Sequence, residues 1–192
     1  MPTSKDICDA AYAGDIDKLR QLAAEGADFN ETNEYGETIF AEIMSNLTID
    51  NREFRYTVLL AMLELGADPN ILDEDGCGVL TTAMLAMDTK MLEILLDAGV
   101  DPNTHTGSAD YESFFDWAVT DYAYNLYGGP VPDEAEEKDR ASEESWLEFL
   151  DRLALKYNRR RPDHLYLLRS YGALSKKEIE QKKSDSDSQM KG

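Results

Sequence analysis

The sequence predicts an all-α solenoid of about four helix-turn-helix units, with an inserted helix in the last unit. Three observations carry this. A short segment recurs: Glu25-Gly26-Ala27-Asp28-Phe29-Asn30 returns as Leu65-Gly66-Ala67-Asp68-Pro69-Asn70 and as Ala98-Gly99-Val100-Asp101-Pro102-Asn103, with a degraded copy at Tyr171-Gly172-Ala173-Leu174. Its glycines are separated by 40, 33 and 73 residues, a period of 33 with insertions of 7 and 40. Each copy also follows an apolar stripe: Leu19, Leu22 and Ala23; Val58, Leu59, Met62 and Leu63; Leu92, Leu95 and Leu96; Leu165 and Leu168, with Leu167 beside them. Steps of three and four place each set on one helix face.

Each element follows from local chemistry. Glycine just beyond a helical stripe takes positive φ and closes the helix C-terminus, and the Asp-x-Asn or Asp-Pro-Asn after it suits an extended or turn conformation. Upstream of each stripe a shorter helix is predicted: Ile7 to Ala13, Ile39 to Ser45, Val79 to Met87 and Phe114 to Tyr124. Tight turns precede the middle two, at Glu34-Tyr35-Gly36-Glu37-Thr38 and Asp73-Glu74-Asp75-Gly76. The units run approximately 4–30, 31–70, 71–103 and 104–174. In the second, Leu47 to Glu53 lengthens the link between the paired helices. In the fourth, residues 127–161 are an insertion: Gly128-Gly129-Pro130-Val131-Pro132 breaks the chain and an acidic stretch runs from Asp133 to Asp139. Ser142 then caps a helix carrying Trp146, Phe149, Leu150 and Leu153, which ends near Asn158. A terminal unit must cover the open end of a stack, so this helix reads as a cap or a partner contact. Residues 175–192, nearly devoid of bulky apolar side chains, are expected to be a frayed helix and a disordered charged tail.

The best-formed unit is Ala10-Ala11-Tyr12-Ala13-Gly14-Asp15 leading to Leu19, Leu22 and Gly26-Ala27-Asp28-Phe29-Asn30. With the 33-residue step, the chain here resembles the ankyrin-repeat family, over roughly residues 4–126 and 162–174. The family's Thr-Pro-Leu-His box survives only as Thr38-Ile39-Phe40-Ala41 and Gly78-Val79-Leu80-Thr81, so the buried hydrogen bonds of its histidine are absent or replaced. The resemblance implies a protein-binding scaffold that uses the concave side formed by the turns and the first helices.

Charge sets further bounds. The 192 residues hold 39 Asp and Glu against 19 Lys and Arg, a formal net charge of −20. Such a length fits one large domain or two small ones and needs no metal or disulfide staple. Charged residues at 30% and apolar ones at 42% argue against general disorder. The negative sign repels phosphate backbones and anionic lipid surfaces. It therefore argues against a sequence-independent nucleic-acid grip and a polybasic membrane anchor, so no direct nucleic-acid or membrane partner is expected, and it favours a basic protein partner for a chain that is monomeric when free. The acidity is local: residues 1–130 carry 25 Asp and Glu against 6 Lys and Arg, residues 131–192 carry 14 against 13. Cys8 and Cys77 are the only thiols, in no CxxC pattern, and are expected reduced. The first 15 residues hold no apolar stretch of signal-peptide length, and the longest apolar run, Val58 to Leu63, is far below a membrane span. A cytoplasmic location is expected.

Catalytic chemistry is not signalled. His105 and His164 lie in separate connections and read as ordinary surface or capping residues. There is no GxGxxG and no GxxxxGK[ST] phosphate cradle. Asp73-Glu74-Asp75-Gly76 fails as a calcium loop, because aligning Gly76 with the loop glycine puts Ile71 at the first ligand and Thr82 at the bidentate one. No catalytic residue, metal or cofactor is therefore expected.

Two constellations suit binding. The predicted turns bring Glu34, Tyr35 and Glu37, then Glu74 and Asp75, then Asp110 and Tyr111, to one repeat position. A ladder of carboxylates there would speed encounter with a cationic surface. Aromatic residues crowd the last unit, and Tyr111, Tyr122, Tyr124 and Tyr127 cannot all point inward from one helix, so exposed contact tyrosines are expected among them. Asn158-Arg159-Arg160-Arg161, the one basic cluster, is expected to pair with the acidic stretch at 133–139. The expected role is a non-enzymatic inhibitor or immunity protein that masks a basic toxin or nuclease. The alternative is an adaptor or regulatory scaffold that binds through the aromatic C-terminal unit.

Overall fold

In a computed structural model of the chain, residues 2–47, 51–108, 110–127 and 134–189 are described. They form ten α-helices in chain order: α1 Ser4–Ala13, α2 Ile16–Ala24, α3 Ile39–Asn46, α4 Arg52–Glu64, α5 Val79–Leu85, α6 Thr89–Asp97, α7 Phe114–Tyr127, α8 Glu143–Lys156, α9 Asp163–Ser170 and α10 Lys176–Gln189, with a 3-10 turn at Glu137–Arg140 before α8. No strand is found among the described residues, only one isolated bridge between Thr32 and Thr38. The fold class is all-α. The break at Gly128-Gly129-Pro130-Val131-Pro132 and the centre of the Leu47–Glu53 link fall outside the described residues.

Helices begin where a short polar side chain can take the first free N–H. Thr3, Asp15, Thr38, Asn51, Asp88 and Ser142 each accept from a backbone N–H of the first turn. They end at the recurring glycines. Gly26, Gly66, Gly99 and Gly172 have φ of +86°, +95°, +94° and +83°. The residue after each returns its N–H to the carbonyl of Leu22, Met62, Leu95 or Leu168 at 3.0, 3.0, 3.2 and 3.1 Å. No atom lies within 4 Å of a Cβ built at any of the four, so backbone conformation alone requires glycine.

The helices pack in consecutive pairs, α1 with α2, α3 with α4, α5 with α6 and α7 with α9, and the first members α1, α3 and α5 lie side by side. The core runs through the pairs: Ile7, Leu19, Phe40, Ile43, Leu59, Met62, Leu80, Leu92, Leu95, Phe115, Leu165 and Leu168 are all buried. Asparagine joins neighbouring pairs. Asn30 donates through Nδ2 to the Gly66 carbonyl at 3.1 Å and accepts through Oδ1 from Asp68 N–H at 2.7 Å. Asn103 does the same across the insertion, donating to Gly172 O at 3.0 Å and accepting from Leu174 N–H at 2.9 Å. Asn70, the copy between them, turns back onto Asp68. That junction instead holds a buried charge pair: Arg55 donates to Met44 O at 2.8 Å and lies 3.9 Å from Asp88, which accepts from the Tyr56 hydroxyl at 2.6 Å. Arg55 and Asp88 are both 1% exposed.

The insertion buries Leu147, Phe149, Leu150, Leu153 and Ala154 of α8. Its polar side is tied by Lys156 to Glu134 and by Arg152 to Asp139. The sequence predicts a helix after Ser175, frayed and leading into a disordered tail. Residues 176–189 form α10, nucleated by a reciprocal cap in which Ser175 N–H donates to Glu178 and Glu178 N–H donates to Ser175 Oγ. Arg169 holds the Glu178 carboxylate at 2.7 and 2.9 Å, and Lys176 reaches Glu112 at 2.8 Å. These charge-assisted bonds anchor a helix that has almost no apolar face.

Candidate interaction surface

The turns preceding α3 and α5 share one geometry. Asn33 Oδ1 accepts from the N–H of Tyr35 and Glu37, and Asp73 Oδ1 accepts from the N–H of Asp75 and Cys77. In each, the glycine returns its N–H to the first residue of the turn, Gly36 to Asn33 and Gly76 to Asp73. The capping oxygen of Asp73 is thus consumed internally, leaving Glu74 and Asp75 as the outward acids. The turns stack. A Cβ at Gly36 would lie 3.5 Å from Asp73 Cα and 3.6 Å from Glu74 N. On the other side, Thr106 donates from Oγ1 to Asp75 O at 3.0 Å and from its N–H to Gly76 O at 3.2 Å.

Along this edge Glu34, Glu74, Asp75 and Asp110 are exposed, while Glu37 and Tyr111 are half-buried. Tyr35 is 68% exposed, among the barest large side chains described. Beneath the edge, between α3 and α5, lies a cavity of about 290 Å³ walled by Glu37, Ala41, Asp73, Cys77, Thr82 and Leu85. Ser45 and Thr82 meet across it at 3.2 Å. Leu85 is 60% and Tyr12 41% exposed. Burial pushes the Tyr12 phenol up, and the neighbouring Cys8 and Glu42 add to it. Sequence reasoning missed Tyr12 and Leu85, although each could be read as an apolar residue off its helix's buried stripe.

No family model matches the chain, and no curated protein matches it significantly.

The expected aromatic cluster divides. Tyr122 is buried at 2% exposure, its hydroxyl donating to Arg160 O at 2.5 Å and its ring edge-on to His164 at 5.2 Å. The expectation that it contacts a partner is corrected. Phe114, Ala118, Tyr122 and Leu126 form a buried i, i+4 stripe on α7. Tyr124 is 62% exposed, and the Tyr127 side chain lies outside the described residues.

Both histidines are core residues rather than surface ones, His105 at 1% and His164 at 2% exposure. His105 packs edge-on against Phe114 at 5.7 Å. Burial lowers both imidazoles, His164 to about 4 with Arg160 adding to the effect. The basic cluster also departs from expectation. Arg161 forks onto Asp151 with two contacts of 2.7 Å, and Arg160 reaches Thr89, whereas the acids at 134 and 139 are taken by α8 cations. The nearer bases lie on the helix that packs over the stretch.

Cys8 and Cys77 are half-buried free thiols, and burial raises both. Neither has the electropositive surroundings of an activated nucleophile. Among the described residues no group of three or more His, Cys, Asp or Glu is placed to hold a metal, and no helix is long and apolar enough to cross a membrane.

Proposed function

We propose that the chain is an acidic ankyrin-repeat protein-binding module without catalytic activity, which works in the cytoplasm as an inhibitor or immunity protein and masks a basic partner such as a toxin or nuclease. The observation that carries this reading is the stacked row of turns, whose glycine contacts bring exposed Glu34, Glu74 and Asp75 together beside Tyr35. Helix pairs in consecutive contact and the common glycine closures support the repeat reading. An exposed tyrosine rimmed by carboxylates supplies contact area and charge steering together.

The test is binding by affinity capture, with mass-spectrometric identification, at low and high salt. Wild-type protein is compared with a Glu34→Lys, Glu37→Lys, Glu74→Lys, Asp75→Lys variant. A partner rich in Lys and Arg is expected, with association slowed about tenfold or more at high salt and abolished in the variant. Salt-insensitive capture that survives charge reversal removes this reading. Exposed Tyr124 on α7 favours the adaptor alternative; there, Tyr124→Ala would weaken binding more than charge reversal does.

A further inference from the structure

We propose that the groove between α8 and α10 binds an amphipathic organic anion, a small molecule with an apolar body and a carboxylate, sulfonate or phosphate head. The cavity there is about 550 Å³, within the range of small-molecule sites. It is built from the inserted helix and the C-terminal helix, outside the turn edge, and so is independent of the proposed partner surface.

Its wall is apolar at Trp146 and Leu174, and Arg140 lies over the Trp146 ring at 5.3 Å. Across the groove α10 presents Lys177, Gln181 and Lys182. Among the described residues neither lysine has a carboxylate within 4.0 Å, in a chain where acids outnumber bases two to one. The acids that line the groove are largely engaged. Arg169 binds Glu144 at 2.5 Å and Glu178 at 2.7 Å, offsetting both from behind. Glu143 is half-buried, and burial raises its carboxyl from the ordinary value. The lining therefore holds Lys177 and Lys182 without a carboxylate partner among the described residues, while two of its three acids, Glu144 and Glu178, are bound by Arg169 from outside the lining, on a molecule of charge −20. An apolar wall opposite two unpaired ammonium groups fits a ligand whose two ends differ in the same way.

The probe is 8-anilinonaphthalene-1-sulfonate, titrated by calorimetry and by energy transfer from tryptophan, with neutral N-phenyl-1-naphthylamine as its uncharged counterpart. One site per chain is expected, with Kd on the order of 10–100 μM. Lys177→Glu with Lys182→Glu, both at exposed positions, weakens sulfonate binding about tenfold or more, while Lys177→Arg with Lys182→Arg retains it. The neutral probe binds more weakly and ignores the charge reversal. Circular dichroism verifies that the variants fold. No saturable site, several weak sites, equal binding of the two probes, or indifference of sulfonate binding to charge reversal would each overturn the proposal.

Discussion

At the scale of single residues, the junctions between helix pairs rest on two kinds of side chain. Asn103 makes two backbone hydrogen bonds to a segment about seventy positions away. Asn103→Ala leaves Gly172 O and Leu174 N–H short of their partner and is expected to cost about 1–3 kcal/mol in urea unfolding. Asp88 caps α6, accepts from Tyr56 and faces Arg55 inside the core. Asp88→Ala would strand a buried guanidinium, with an expected loss of about 3–5 kcal/mol. Desolvation already lowers Arg55 from its ordinary value and pushes Tyr56 up to about 12. His164 gives a pH signature. Its folded value of about 4 lies below the ordinary 6.5, so the unfolded chain binds the extra proton between those limits. Its contribution is present above pH 6.5 and is lost as pH falls towards 4, by ~3 kcal/mol at most. Denaturant melts of His164→Phe between pH 4 and 7 are expected to show a flatter profile than wild type.

At the scale of elements, the positive-φ glycines allow a clean test. Since nothing crowds Gly99, Gly99→Ala pays only the conformational term, an expected destabilisation of about 1–2 kcal/mol, with Gly99→Asn milder. The starts of α3, α5 and α7 at Ile39, Val79 and Phe114 were legible because each follows turn chemistry and opens an apolar run. α10 was legible only as a frayed helix, since its composition lacks an apolar face and only the Ser175-Lys176-Lys177-Glu178 capping box signals a firm start. Its anchor, Arg169, is a long-range partner that no local pattern reveals. Tyr122 was misjudged for a different reason: counting tyrosines on one helix hides the four-residue step through Phe114, Ala118 and Leu126 that carries it inward. Of the candidate surface, the acidic turns were readable from their repeat position, whereas Tyr12 and Leu85 join it only through the packing of α1, α3 and α5.

At the scale of the whole molecule, concentrating 25 acids against 6 bases in residues 1–130 has a cost in self-repulsion. Thermal unfolding is therefore expected to shift upward by a few degrees between ~20 and ~500 mM sodium chloride, and a flat response would show that the charges are already compensated within the fold. The asparagine clasps add a further property. They join the first pair to the second and the third to the fourth, while the middle junction, besides its stacked turns and the Ser45–Thr82 contact, buries Arg55, Asp88 and Tyr56 together. A clasp can reform one bond at a time, but buried opposite charges must be dehydrated together, and water stabilises each once they separate. Opening the central junction therefore has to expose Arg55 and Asp88 together, whereas either asparagine clasp can open without uncovering a charge.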